Sequence, residues 1–392
     1  MTIGIKYISD GRLTGYALGG LAYIRALHNA GVPVWPFFIG PRRADSRFVP
    51  PLARAVEGDA SLADMPAILR ATARPIAYDT LVLHAIPELW ARFAEAGRRC
   101  IGYTAWETEG LPEQWPALLD AVDLVLVPSR FSAQCLIAGG VRRPVRVVPH
   151  IRRHAWGEAA RRHGMALRQA LSIPADHYLF YTIGAWDPRK AMGELIDAFV
   201  RGFGAADRVC LLIKTSASSQ HAAQSQEVNV EQSTALRVKS ASRAAGHAAP
   251  LVLSIAADDV TGQTIEAIHA AGDAYVSLSH GEGWGLGAFD AATLGKPVII
   301  TGWGGQIDFL GEDYPGLVRY RVGDAEGWRP TPHSRGTHRW ATADAEHAIA
   351  LMRAAVASDA RLLAGAAATR ERILSEFAED VVVRRFLDAL NT

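Results

Sequence analysis

At 392 residues the chain is longer than one ordinary hydrophobic core organises, so two or three domains are expected. Hydrophobic residues make up 49% and charged residues 21%, a balance that excludes a disordered chain. With 41 Lys plus Arg against 40 Asp plus Glu, the net charge of +1 offers no field for a long polyanion, which excludes nucleic acid as the main partner.

The opening residues Met1-Thr2-Ile3-Gly4-Ile5-Lys6-Tyr7-Ile8 lack a basic leader and a small-residue cleavage site. They read as a first β-strand over Ile3–Ile8, not as a signal peptide. Further short apolar runs predict strands at Val34–Ile39, Leu81–His84, Cys100–Thr104, Leu124–Val127 and Val145–Val148. Helical patterns fill the intervals at Gly20–Ala30, Pro87–Ala96, Pro112–Ala121 and Arg130–Ala138, with Ser129 placed to cap the last. This alternation is that of βαβ units around a parallel sheet. Residues 150–160 are polar and irregular and interrupt the series. A second series then predicts strands at Tyr178–Gly184, Val209–Lys214, Leu251–Ile255, Ala274–Leu278 and Val298–Thr301. Residues 216–226, rich in Ser, Ala and Gln, read as a surface loop, and Leu362–Leu390 as amphipathic helix. The expected fold class is α/β: two doubly wound, Rossmann-like domains facing a central cleft. The expected division is 1–155 and 156–375, with a helix at about 376–392 packing back on the first domain.

No apolar stretch reaches the roughly 18 residues of a spanning helix, so membrane contact is expected to be peripheral at most. Cys100, Cys135 and Cys210 are odd in number and contain no Cys-x-x-Cys, which argues against a disulfide framework or a zinc site and fits a reducing compartment. The expected location is the cytoplasm, at most touching the inner face of the membrane. The pairs Arg42-Arg43, Arg142-Arg143, Arg152-Arg153 and Arg161-Arg162 would suit an anionic lipid-linked acceptor, but at this net charge they read as scattered solvated charges.

The most informative stretch runs from Ser279 to Ile299: Ser279-His280-Gly281-Glu282-Gly283-Trp284-Gly285-Leu286-Gly287-Ala288-Phe289-Asp290, then Ala291 to Lys296 and Pro297. A strand ends, a glycine-rich loop follows, a helix starts near Leu286 and a new strand begins at Pro297. Glycines at such a junction let backbone N–H groups approach an anion, and the helix start adds the positive end of its dipole. Gly285, Leu286 and Gly287 therefore read as a diphosphate site. An acid in this loop would repel the anion unless it points past the phosphates. Glu282, flanked by Gly283 and Trp284, is read as gripping the hydroxyls of a donor sugar. Asp290 lies two helical turns further along the same face, where a carboxylate can bridge the vicinal hydroxyls of a ribose. Turn glycines beside a solvated acid are the bland alternative; the strand–loop–helix–strand context favours the functional one.

This stretch resembles the acid-x7-acid signature of retaining family-4 glycosyltransferases, which have the two-domain GT-B fold. The resemblance extends further. Tyr103-Thr104-Ala105-Trp106-Glu107-Thr108, followed by Val127-Pro128-Ser129-Arg130-Phe131-Ser132, looks like the acceptor-domain pattern of bacterial members. Lys190 followed by Leu195-Ile196-Asp197-Ala198-Phe199 looks like their diphosphate lysine and its helix. Three departures stand out. The second acid is Asp290 where the family has Glu, Gly287 replaces a Pro, and Gly184-Ala185 stands where the family has Gly-Arg. Arg189 and Lys214 are the candidate replacements for that phosphate arginine.

What the resemblance implies is transfer of a sugar from a nucleotide diphosphate to a hydroxyl acceptor, with retention of configuration at a front face. The acceptor class is open among a glycan, a lipid-linked saccharide and a small molecule. The chain has no Asp-x-Asp and no His-Glu-x-x-His, so no metal and no other cofactor is expected. The leaving diphosphate would be stabilised by Lys190, Lys214, Arg189 and helix N–H groups near Leu286. Lys214 ends an apolar strand, where ligands of such sheets bind.

Other candidates are less distinctive. Gly15, Gly19 and Gly20 follow the first strand and either cradle a phosphate, shape the floor of the cleft or make a simple tight turn. His84 ends a strand of the first domain; a satisfied core histidine is the bland reading, and the family's histidine near the reacting sugars favours a catalytic one. Trp106 and Glu107 follow another strand and are candidate acceptor contacts, with packing and a surface cap as alternatives. The nucleobase is expected near Ile255. A nucleotide-sugar epimerase and a non-catalytic nucleotide-sugar-binding protein are the competing functions; a dehydrogenase would need a dinucleotide fingerprint that is missing.

Overall fold

The computed structural model describes residues 4–12, 14–40, 44–45, 56, 58–152, 157–217, 229–258, 260–325, 328 and 336–391. Ile3, Arg42, Arg43, Arg153 and residues 218–226 of the expected loop lie outside the described residues. The chain divides into two compact units. One is Met1–His154 with Arg329–His338 and Arg372–Thr392; the other is Ala155–Trp328 with Arg339–Glu371.

The first unit holds strands β1 (Gly4–Asp10), β2 (Val34–Ile39), β3 (Ala44–Asp45), β4 (Tyr78–His84), β5 (Arg99–Tyr103), β6 (Leu124–Val127) and β7 (Val145–Val147). They form one sheet in the order β3-β2-β1-β4-β5-β6-β7. All neighbours are parallel except β3, which runs antiparallel to β2. The parallel strands are apolar on both faces because helices cover both; Leu124–Val127 is buried throughout. The strand order reverses at β1, between β2 and β4, which opens a crevice at the carboxyl ends of β1 and β4. Helix Gly15–Asn29 starts there, capped by the Thr14 hydroxyl, which accepts from the Ala17 N–H at 3.3 Å. The helix Glu379–Leu390 closes this unit from below: Phe386, fully buried, packs on Tyr23 at 5.1 Å and Tyr7 at 6.5 Å between ring centres.

The second unit holds β8 (Tyr178–Ile183), β9 (Val209–Thr215), β10 (Leu251–Ala256), β11 (Ala274–Ser277), β12 (Val298–Thr301) and β13 (Leu317–Val318), a parallel sheet ordered β10-β9-β8-β11-β12-β13. Its crevice falls between β8 and β11. Helix Met192–Gly202 buries Leu195, Ile196, Phe199 and Val200 against Phe180, Leu211 and Ile213 of the sheet. A separate antiparallel hairpin pairs β14 (Tyr320–Asp324) with β15 (Arg339–Ala343).

Every apolar run read as a strand is a strand, with ends shifted by a few residues. The expected helices at Pro87–Ala96 and Pro112–Ala121 shrink to Trp90–Phe93 and Trp115–Leu119. The first contracts because a 3-10 turn at Pro87–Leu89 uses up its opening. The expected stretch Leu362–Leu390 is two helices, Ala360–Glu376 and Glu379–Leu390, parted by the extended backbone of Ala378. The short strands β3, β13, β14 and β15 carry no apolar run long enough to announce them.

Candidate active site

The loops that follow β8 and β11 meet at the second unit's crevice. Gly285 takes a left-handed conformation, φ 88° and ψ 62°, and starts helix Leu286–Thr293 without any side-chain cap. The first amides of that helix are thus left to an anion or to water. Gly287, next in the helix, lies over Tyr275: a Cβ there would sit 2.8 Å from the phenol oxygen, so the family's usual proline has no room.

Glu282 is 8% exposed and is held by cations from the β8 loop. Lys190 Nζ donates to both carboxylate oxygens, at 2.6 and 2.8 Å. Arg189 Nη1 donates to the Gly281 carbonyl at 2.5 Å and stands 3.6 Å from Glu282 Oε2. Burial alone would raise the Glu282 pKa; the charges of Lys190 and Arg189 and the lysine hydrogen bond outweigh it and hold the carboxyl below its ordinary value. The backbone reinforces this grip. His280 N–H donates to the Arg189 carbonyl at 2.7 Å, and the Ser279 hydroxyl donates to the Arg189 and Gly281 carbonyls at 3.2 and 3.1 Å. From the other side, Gly305 N–H donates to the Glu282 carbonyl at 2.7 Å. Gly304 has φ 121°, and a Cβ on it would lie 2.8 Å from that same oxygen. The His280 ring is stacked on Trp340 of β15 at 4.3 Å and 19°, and its Nδ1 lies 2.7 Å from the Ala341 carbonyl.

Arg189, Lys190, Glu282 and Gly285–Gly287 therefore converge, with Gly283 between them. Trp284 is placed differently from the expected sugar contact: 3% exposed, its ring packs against Phe289 and Phe309, each at 5.2 Å, and acts as core. Lys214 is also diverted. Its ammonium donates to the carbonyls of Thr215 at 3.1 Å and Ala257 at 2.9 Å, and burial lowers its pKa. It ties strand ends together, which leaves Arg189 as the cation beside Lys190. Ile255 is half-buried on edge strand β10, in register with Lys214. Asp290, 5% exposed, lies within helix Leu286–Thr293 with the His269 ring beside it.

In the first unit, Gly15, Gly19 and Gly20 are helical and not a phosphate loop. Gly19 and Gly20 are glycines for packing: a Cβ would come 2.8 Å from His150 Cε1 in the first case and 2.1 Å from Ser9 Oγ in the second. His84 lies beneath them, 1% exposed, its Nδ1 2.8 Å from the Tyr7 hydroxyl and its ring 4.2 Å from that of Tyr103. Burial, then the neighbouring His150, pushes its pKa well below the usual imidazole value, so it is a neutral ring. Trp106 is core as well: 2% exposed, it packs at a tilt on Trp115, 4.5 Å between ring centres, and donates from Nε1 to the Gly110 carbonyl at 2.7 Å. Glu107 is half-buried beside Tyr16, whose phenol is raised to about 12 by burial and next by the Glu107 charge.

Sequence reading missed Tyr16, Tyr275, His269 and the Gly304-Gly305 turn. Tyr16 bonds Thr104 Oγ1 at 2.9 Å at the mouth of the first sheet. Tyr275 lies under Gly287, within reach of the charges of Glu282 and Asp290; burial first, then Glu282, raises its phenol. A tyrosine inside an apolar strand was the available signal for Tyr275; none marks the others. A hollow of about 660 Å³, lined by Arg161, Met165, Arg168, Tyr178, Arg208 and Asp273, sits at the amino ends of the second sheet, away from Glu282. Its Arg168 is already bound to Asp273 at 2.6 Å. Among the described residues no three His, Cys, Asp or Glu side chains gather as a metal would require, and no helix is long and apolar enough to cross a membrane.

No family model matches the chain, and no curated protein matches it in sequence. Solved structures do. HepE of Anabaena, in complex with UDP and glucose, is 15% identical with a TM-score of 0.62, covering 99% of both chains. Sucrose-phosphate synthase from Thermosynechococcus elongatus is 16% identical with a TM-score of 0.65 over 99% of this chain and 98% of that one. The α,α-trehalose 6-phosphate synthase of Burkholderia multivorans gives 14% and 0.63 over 100% and 98%. At these identities the likeness fixes the fold: two Rossmann-like units in one polypeptide, the GT-B fold.

Proposed function

We propose that this chain is a retaining glycosyltransferase that moves a sugar from a nucleotide diphosphate to a hydroxyl acceptor without a metal. The observation that carries the reading is Glu282, buried in a glycine loop and bound by Lys190 and Arg189 at the foot of an uncapped helix. Cations and helix amides suit a diphosphate; the acid beside them suits sugar hydroxyls. HepE, of like fold, holds UDP and glucose.

In this reading the diphosphate lies on the amides of Leu286 and Gly287 and against Lys190 and Arg189. These charges offset the negative charge that develops as the sugar–phosphate C–O bond breaks. The acceptor oxygen forms its bond on the same face, and its proton passes to the departing phosphate oxygen. No protein base is needed. Glu282 stays ionised and orients the donor sugar. Asp290 takes the ribose, the nucleobase lies near Ile255, and the acceptor lies near Glu107.

The test is transfer assayed with UDP-, GDP-, ADP- and dTDP-sugars and a panel of hydroxyl acceptors, with and without EDTA. Transfer that persists in EDTA and yields the donor's anomer supports the proposal. Loss of activity restored by manganese, an inverted product, or a change in the sugar with no acceptor present would overturn it.

A further inference from the structure

We propose that His269, steadied by Tyr181, is a positioning residue that aims Asp290 at the ribose of the nucleotide. This rests on the glycosyltransferase reading above and on its assignment of Asp290.

A carboxylate inside a helix and 5% exposed needs partners in place of the water it has lost. His269 supplies one from helix Gly262–Ala271. Its side chain is 1% exposed, and its Nε2 stands 3.9 Å from Asp290 Oδ2, longer than a hydrogen bond but close enough to act on the charge. The ring is fixed at its other nitrogen. The Tyr181 hydroxyl lies 2.9 Å from Nδ1, and the two rings meet edge to face at 5.3 Å and 87°. Tyr181 sits on β8, a strand that borders the crevice. Gly272, directly after the histidine helix, makes room for it: a Cβ there would fall 2.0 Å from Tyr181 Cδ1.

The order of donors follows. A fully buried phenol keeps its proton and donates to Nδ1, which places the ring's own N–H at Nε2, facing Asp290. One oxygen of Asp290 then leans toward that N–H. Held in that orientation, the carboxylate can bridge two vicinal hydroxyls. Asp290 is one methylene shorter than glutamate, so its reach depends more on being held in one rotamer. A histidine that served packing alone would not influence which pentose binds.

The experiment is calorimetric titration of the full chain with UDP, 2′-deoxy-UDP and 3′-deoxy-UDP, repeated with the GDP and then the ADP series if UDP does not bind. Wild type should prefer the ribonucleotide by about 10- to 100-fold, the range of hydrogen bonds to a charged group. His269→Phe should cut that preference to within about 3-fold, by weakening the ribonucleotide and leaving the deoxy forms unchanged. His269→Gln, which can offer an N–H from nearly the same place, should restore most of it. Tyr181→Phe, which keeps the ring and its packing, gives the same reading should His269→Phe not fold, with a smaller loss. A His269→Phe protein that weakens all three ligands equally, or retains full preference, overturns the inference. A preference that survives Asp290→Asn removes the ribose assignment instead. Should wild type bind none of UDP, GDP, ADP and dTDP, the glycosyltransferase reading falls, and this inference with it.

Discussion

At Glu282 one carboxylate joins the charges of Lys190 and Arg189 to the role proposed for it in orienting the donor sugar. Replacement by Gln keeps its shape and removes its charge. Transfer should fall by about 100-fold or more, roughly 3 kcal/mol in the barrier, measured as kcat/KM. Wild-type rates in that variant would exclude the proposed role. The same change leaves Lys190 half-buried without its acid, so stability should drop by about 1–2 kcal/mol at pH 7. A carboxyl held below its unfolded value stabilises the fold fully above about pH 4.5 and loses that effect as pH falls through the folded value, so the gap between the two proteins should close in acid. The buried histidines act in the same direction for a different reason. His84 is well below the usual imidazole value, and His150 is lowered to about 4 by burial. Unfolded, both take up protons near pH 6.5; folded, they do not. Stability should therefore fall as pH drops from about 6.5, with a slope of up to about 1.4 kcal/mol per pH unit for each histidine. Denaturant titrations from pH 7.5 to 5 read this slope, and His150→Gln should flatten it. Ala191 adds a local cost: it begins helix Met192–Gly202 in a left-handed conformation at φ 50°. Ala191→Gly should raise stability by about 0.5–1 kcal/mol in the same titrations.

At the scale of elements, glycines decide how closely segments approach. Gly20→Ala would drive a methyl into Ser9 Oγ at 2.1 Å, beneath a fully packed helix. The expected loss is about 1–3 kcal/mol, seen as a lower thermal midpoint with donor binding kept. Gly304→Ala would push instead on the backbone of Glu282, so activity should suffer more than the thermal midpoint. The strands and the glycine loop were legible because a doubly covered parallel strand must be apolar and a helix that starts from a left-handed residue such as Gly285 favours glycine. The packed role of Gly19 and Gly20 was not, since a helix that crosses His84 and Ser9 closely leaves the same letters as a phosphate loop. Trp106 and Trp284 misled for a related reason: a tryptophan beside a crevice and one within a core have identical local sequence, and burial separates them. Lys214 was read from its strand end alone, while its ammonium is held by the carbonyl of its own neighbour, Thr215, and by that of Ala257, 43 residues on.

Over the whole molecule, two parallel sheets of like winding account for most of the strands. The pattern of alternating runs was enough for both sheets. The hairpin β14–β15 was hidden because its strands are largely exposed and their apolar residues, Val322, Trp340, Ala341 and Ala343, are interrupted by arginines and other polar residues. The feature with the widest consequence is the helix Glu379–Leu390, which completes the first unit although 200 residues or so of the second intervene in sequence. Phe386 seals Tyr7 and Tyr23, and Glu379 reaches Asn29 at 2.7 Å. During synthesis, then, the sheet made first waits with one flank bare until residues 379–390 have left the ribosome. Such an exposed interval is when a nascent chain seeks a chaperone or aggregates.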